Sequence, residues 1–338
     1  MKGLIQNIDI INLLLIVLAG ILAYLFPLEL FIFSFAILGP LHYLTEINWL
    51  KTKNFFSPSL SINWLLIAVI ASLILVIPKL YLHFIDEQNS IISIFFSRVN
   101  QWSNGAIFIC LALSIGILFL KKRQHLLILG IVAVLGAIIF NEFESYILFI
   151  GILIPTVIHV YVFTLLFMFY GAHKSKSKLG YLSVALAILI PLAFCFISVN
   201  PENYSFNDSL KSTYIANNLH NAPVKFAEFL GLSDGKTFFF YEDLELRLMM
   251  FMSFIYLYHY LNWFSKTTTI FWHKSLTLKR SILILILWVV MVGLFYFNYQ
   301  IGFLTALFFS FLHVILEFPL NMLSIQNLLA ALSGSTKS

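Results

Sequence analysis

The sequence predicts an all-helical fold, a transmembrane bundle of about ten spans with both termini on the cytoplasmic side. Three observations predict it: composition, the lengths of the apolar runs, and the sidedness of charge. Of 338 residues, 61% are apolar and only 10% charged, where a soluble domain has about 25% charged residues. Apolar runs able to cross a hydrocarbon layer of about 30 Å lie near 9–27, 28–50, 59–79, 101–120, 124–141, 145–172, 179–198, 245–265, 281–298 and 301–322. Together they make 1–338 a single integral membrane domain.

Taken in order, the first run lacks a strongly basic leader and a small-residue cleavage site, so it is expected to be a retained span rather than a signal peptide. Pro27-Leu28-Glu29 separates it from the second, because proline removes a helical hydrogen bond. The connections after the second, fourth, sixth and eighth runs hold Lys51 and Lys53; Lys121, Lys122 and Arg123; Lys174, Lys176 and Lys178; and Lys266, Lys274, Lys279 and Arg280. The opposite connections hold Glu29, Asp86, Glu87, Glu142 and Glu144. Basic loops stay inside, and the alternation sets the orientation.

The 199–244 stretch is long for a simple connection, and such loops usually carry function or structure of their own. It is expected to be an extracytoplasmic loop, with Phe226, Phe229 and Leu230 forming an amphipathic interfacial turn; a lid over a membrane-facing cavity is the alternative role. Cys110 and Cys195 sit inside apolar runs, which excludes a disulfide framework and a thiolate metal site. The net charge of +5 resides in short loops and sets topology, so no nucleic-acid partner is expected.

The chemistry lies in the runs themselves. His42 and Glu46 are four residues apart, as are His313 and Glu317, and one helical turn stacks each pair on one face. Two further runs contribute His159 and His259. Counted from Leu28, Ser145, Glu245 and Ile301, each histidine falls about 12–14 residues into its run, roughly 20 Å along the helix. Four histidines at one depth predict one metal centre. Ionisable groups inside spans cost about 2.5–3.5 kcal/mol each and serve a function, and a carboxylate one turn from an imidazole can hold its other nitrogen. Glu46, Glu317 and Asn262, three residues after His259, are therefore expected to support the ligands or join them. His83, His125, His173, His220 and His273 fall in loops or at helix ends. A site so placed acts on a lipid-soluble substrate reached from the membrane.

These residues resemble the bacterial Brp/Blh-type carotene dioxygenases. Leu41-His42-Tyr43-Leu44-Thr45-Glu46 looks like that family's first motif, Pro-His-Gly-Ala-Leu-Asp, and Leu312-His313-Val314-Ile315-Leu316-Glu317 looks like its last, Pro-His-Met-Ile-Leu-Ile-Asp. Ile158-His159 resembles the second histidine motif, and Tyr258-His259 stands where the third would be. The match covers these patches alone. The chain departs from the family at Trp263, where the third motif has a second histidine, and it lacks the Pro-His-Gly steps.

The resemblance implies cleavage of a β-carotene-like polyene to retinal or an apocarotenal by O₂ on non-haem Fe(II), held by His42, His159, His259 and His313. Another first-row transition metal fits the same donors. The implied location is the bacterial inner membrane, among membrane lipids; the oligomeric state stays open. An ion- or proton-coupled transporter using the same histidines and glutamates is the alternative, although the paired repeats expected of one are not found.

Overall fold

A computed structural model of the chain describes residues 2–57, 61–85 and 90–333. Among these residues every regular element is helical. The elements that organise the site are α1 (Lys2–Leu25), α2 (Pro27–Thr52), α3 (Ser61–Phe84), α4 (Ile91–Trp102), α5 (Asn104–Phe119), α6 (Arg123–Phe140), α7 (Glu144–Ser175), α8 (Lys178–Phe194), α9 (Asp208–Ala216), α10 (Asn221–Phe229), α11 (Asp243–Ser265), α12 (Leu278–Phe297) and α13 (Tyr299–Leu332). Each predicted run corresponds to helix, although residues 59 and 60, at the start of the third, and Asp86 and Glu87 lie outside the described residues.

Seven of these helices are long and apolar enough to cross a membrane, and α4 with α5, bent by 41° at their junction, makes an eighth if the pair is one span. The two other expected spans differ for separate reasons. Helix α8 has 17 residues, roughly 26 Å at 1.5 Å per residue, short of the hydrocarbon thickness. Helix α11 has 23 residues but begins with Asp243, Glu245 and Arg247 and continues through Tyr256, Tyr258, His259 and Asn262. Most of it is buried by protein, so its sequence need not suit lipid.

The helices form two compact units, each made of two stretches of chain: Met1–His42 with Thr156–Thr277, and Tyr43–Pro155 with Leu278–Ser338. In the first unit α11 is central, packed against α1, the start of α2, α8 and α10. In the second, α13 takes the same role against α3, α5 and α12. The helices that carry His259, and His313 with Glu317, are thus the buried axes of their units.

Two helices depart from α geometry near a predicted ligand. Helix α2 widens into a π-helical turn over Ser34–Leu38, just before His42. Helix α7 is π-helical over Ile147–Phe163, a stretch containing Pro155 and His159. Proline lacks the N–H that an α turn uses, and π segments commonly accompany functional sites. The widened stretch ends at Thr164, where α geometry resumes.

The 199–244 stretch carries structure of its own. Helix α10 packs its buried Val224 and Ala227 on α11, and Phe226 stacks on Phe251 at 5.1 Å. Phe229 and Leu230 remain exposed. On α9, Tyr214 is buried between Phe31 of α2 and Phe238, and burial raises the pKa of its hydroxyl. Aromatic packing ties this segment to the helices of the first unit.

Candidate metal centre

The first unit holds three of the four predicted histidines and brings two of them, His42 and His259, into contact. His42, from α2, and His259, from α11, approach Nε2 to Nε2 at 3.0 Å, with ring centroids 4.7 Å apart and planes at 77°. The His159 ring, from the π-helical part of α7, lies 5.2 Å from that of His259. All three are buried.

The protonation pattern follows from a residue that sequence reading missed. Thr164 Oγ1 donates its proton to the Val160 carbonyl at 2.8 Å. Its oxygen can then only accept from His259 Nδ1, 2.8 Å away. His259 therefore carries its proton on Nδ1, and its Nε2 presents a lone pair toward His42. A fixed Nδ1–H with a bare Nε2 is the state in which neutral imidazole binds a metal, and an oriented hydrogen-bond acceptor behind it is the usual support. Threonine five residues after a helix histidine is a weak sequence signal. It reaches His259 here from the junction where the π segment returns to α.

Two nitrogens 3.0 Å apart match neighbouring ligands on one ion at metal–nitrogen distances of about 2.0–2.1 Å. The donor set is neutral nitrogen in an apolar shell, which suits a borderline transition metal better than a hard cation. Aromatic rings close one side: Tyr260 at 5.1 Å and Trp263 at 5.6 Å from His42. Trp263 is part of this wall and is stacked on Trp272 at 5.9 Å. Asn262 is buried on the same helix. Its Oδ1 accepts no hydrogen bond, and its carbonyl oxygen accepts from Ser265.

The remaining predicted residues belong to the second unit. His313 stacks on Tyr43, centroids 4.5 Å apart, and its Nδ1 lies 3.3 Å from the Phe309 carbonyl, a weak contact that favours a proton on that nitrogen. Glu46 and Glu317 are hydrogen-bonded to each other, and Asn321 Nδ2 donates to Glu317 Oε2 at 3.4 Å. A hydrogen bond between two carboxyl groups holds one proton between them. The glutamates therefore form a buried pair across α2 and α13. Of the loop histidines, His173 meets the Tyr181 hydroxyl at 3.1 Å and His273 donates to the Thr267 carbonyl at 2.9 Å, both at exposed positions. No family model matches this chain, and neither a curated protein nor a solved structure does.

Proposed function

We propose that this chain is an integral membrane metalloenzyme, an oxygenase acting on a lipid-soluble substrate, with carotenoid cleavage to retinal or an apocarotenal as the leading reaction. One observation carries the reading: the Nε2 lone pair of His259, fixed by Thr164, lies 3.0 Å from His42 Nε2 beside the buried ring of His159. His42 and His259 would hold the metal, with His159 and His313 as the further ligands that the sequence predicts, Fe(II) by the resemblance to the Brp/Blh-type dioxygenases. When bound, iron supplies the activation of O₂ that breaking a polyene double bond requires.

The chain's own residues supply the rest. Thr164 keeps His259 in the binding tautomer. Tyr260 and Trp263 exclude water from the side of His42, and apolar surroundings favour a substrate that partitions from lipid. In orientation, the basic loops put both termini in the cytoplasm, the membrane being the bacterial inner membrane. Sidedness reporters fused after residues 55, 176 and 275 should all read cytoplasmic, and an external signal at any one would reverse the assignment.

Expression in a carotene-accumulating bacterium tests the activity. The colonies should bleach under oxygen, with retinal or an apocarotenal in the extract, and the His259→Ala variant should stay coloured. An unchanged carotenoid profile from metal-loaded protein would remove this substrate class. The fourth sequence-predicted ligand is tested separately: loss of metal in His313→Ala would assign it to the centre, and full retention would leave three histidines.

A second reading, proton-coupled transport, draws on the Glu46–Glu317 hydrogen bond, since a shared proton inside a membrane is what a relay uses. Proton flux through reconstituted vesicles, abolished by Glu46→Gln, would favour it over the oxygenase.

A further inference from the structure

In the first unit, α1, α7, α8 and the end of α11 enclose a cavity of about 120 Å³ that none of the histidines lines. Ile8, Phe167 and Met168 form its apolar side. Its polar side carries one charge of each sign: Asp9 of α1, and Lys266, the residue directly after α11.

The two charges do not satisfy each other. Ser177 donates its hydroxyl proton to Asp9 Oδ2 and accepts from the Gly180 N–H at 3.1 Å, so the start of α8 orients the carboxylate and leaves Oδ1 for a ligand. Lys266 is half-buried, and Asp9 acts on its ammonium as a charge across the space rather than as a hydrogen-bond partner. Burial pushes the Lys266 pKa down to about 8. An ammonium taken from water without a partner is costly, and this one is stabilised only in part by the chain itself.

The neutral polar groups complete the pattern. The Ser175 hydroxyl donates to the Gly171 carbonyl at 2.8 Å, and the Ser183 hydroxyl to the Leu179 carbonyl at 3.0 Å. A hydroxyl has one proton, so both oxygens meet the cavity as acceptors. The Asn12 amide, buried, is held at one end by Ser265 Oγ, 2.8 Å away. A carboxylate with neutral acceptors, together with an ammonium, matches a ligand that itself carries an ammonium and an anion and no net charge. The volume is below that of sites for drug-sized molecules, about 300–1,000 Å³, so the bound group is small.

We infer that this cavity binds a small zwitterion in which a primary ammonium is joined to a phosphate or carboxylate, the ammonium held by Asp9 with the Ser175 and Ser183 oxygens and the anion by Lys266. The ethanolamine phosphate head of a membrane lipid and a free amino acid share that chemistry. Gly171 and Ser175 are exposed and mark the mouth, whereas Asn12 and Ser183 are buried at the floor. A Cβ at Gly171 would meet no atom within 4 Å, so a leucine there would stand in the mouth without touching either charge.

Two measurements on the full-length protein test the site and separate the sources. Native mass spectrometry of protein released from nanodiscs holding phosphatidylethanolamine or phosphatidylcholine with identical chains reads the lipid. A lipid head in the cavity gives about tenfold stronger retention of phosphatidylethanolamine, about 1.4 kcal/mol, because a quaternary ammonium has no N–H for Asp9. Melting in detergent with added glycine or O-phosphoethanolamine reads the free zwitterion, and a raised melting temperature without any lipid preference assigns that source. Asp9→Asn and Lys266→Gln should each abolish the signal that the wild type gives. Gly171→Leu should abolish it too, and it decides the matter where a charge variant does not fold. No signal from the wild type in either measurement, or a signal undiminished in the folded variants, would overturn the assignment.

Discussion

Replacing Thr164 by valine is expected to lower metal affinity about 10–100-fold, the usual effect of removing a group that orients a ligating histidine. Valine keeps the shape of threonine and deletes the oxygen that accepts from His259 Nδ1. The imidazole can then move its proton to Nε2, where it blocks the lone pair facing His42. Thr164→Ser retains the hydroxyl and should retain most of the affinity. His259→Ala removes a ligand outright and should lose metal altogether. Competition with a chromophoric chelator measures all three, and equal affinity in Thr164→Val and wild type would detach this threonine from the centre.

The second large effect is expected in the glutamate pair. Glu46→Leu removes the partner of Glu317 inside the protein, where an unsatisfied polar group costs about 1–3 kcal/mol. Glu46→Gln still supplies a donor to Glu317 and should cost well under that. The Glu46→Leu, Glu317→Leu double variant should recover part of the loss, because replacing both partners by apolar groups can be nearly neutral. Reversible unfolding in mixed micelles reads the three values. Strict additivity of the two single exchanges would mean the carboxyl groups do not interact.

Much of this was legible in the sequence because hydropathy and polar outliers are local signals. The apolar runs became helices, and His42 and His259, singled out as ionisable groups in apolar segments, touch within one unit, with the His159 ring beside that of His259. Depth along the helix was the useful criterion, since it depends only on residue count. Rotation was not legible. The hydrogen bond between Glu46 and Glu317 joins two different helices, a relation that the i, i+4 spacing within one helix does not show.

Thr164 stayed hidden for a related reason. Threonine in an apolar run usually returns its hydroxyl to the carbonyl four residues back, and Thr164 does so. Its second contact depends on where α11 lies. The π-helical stretch around Pro155 could be suspected from proline alone, but its extent over Ile147–Phe163 could not. For α11, membership among the spans was inferred from length and charge alternation. Its polar, almost wholly buried surface follows from helices that pack around it.

The most direct measurement of the central claim is elemental analysis with X-ray absorption at the metal edge, on protein purified without added chelator, beside the His42→Ala variant. The expected result is one first-row transition metal per chain, iron foremost, with imidazole scattering at about 2.0–2.2 Å and loss of that metal in the variant. A metal-free wild type, or a metal whose content and spectrum are unchanged by His42→Ala, would contradict a histidine metal centre.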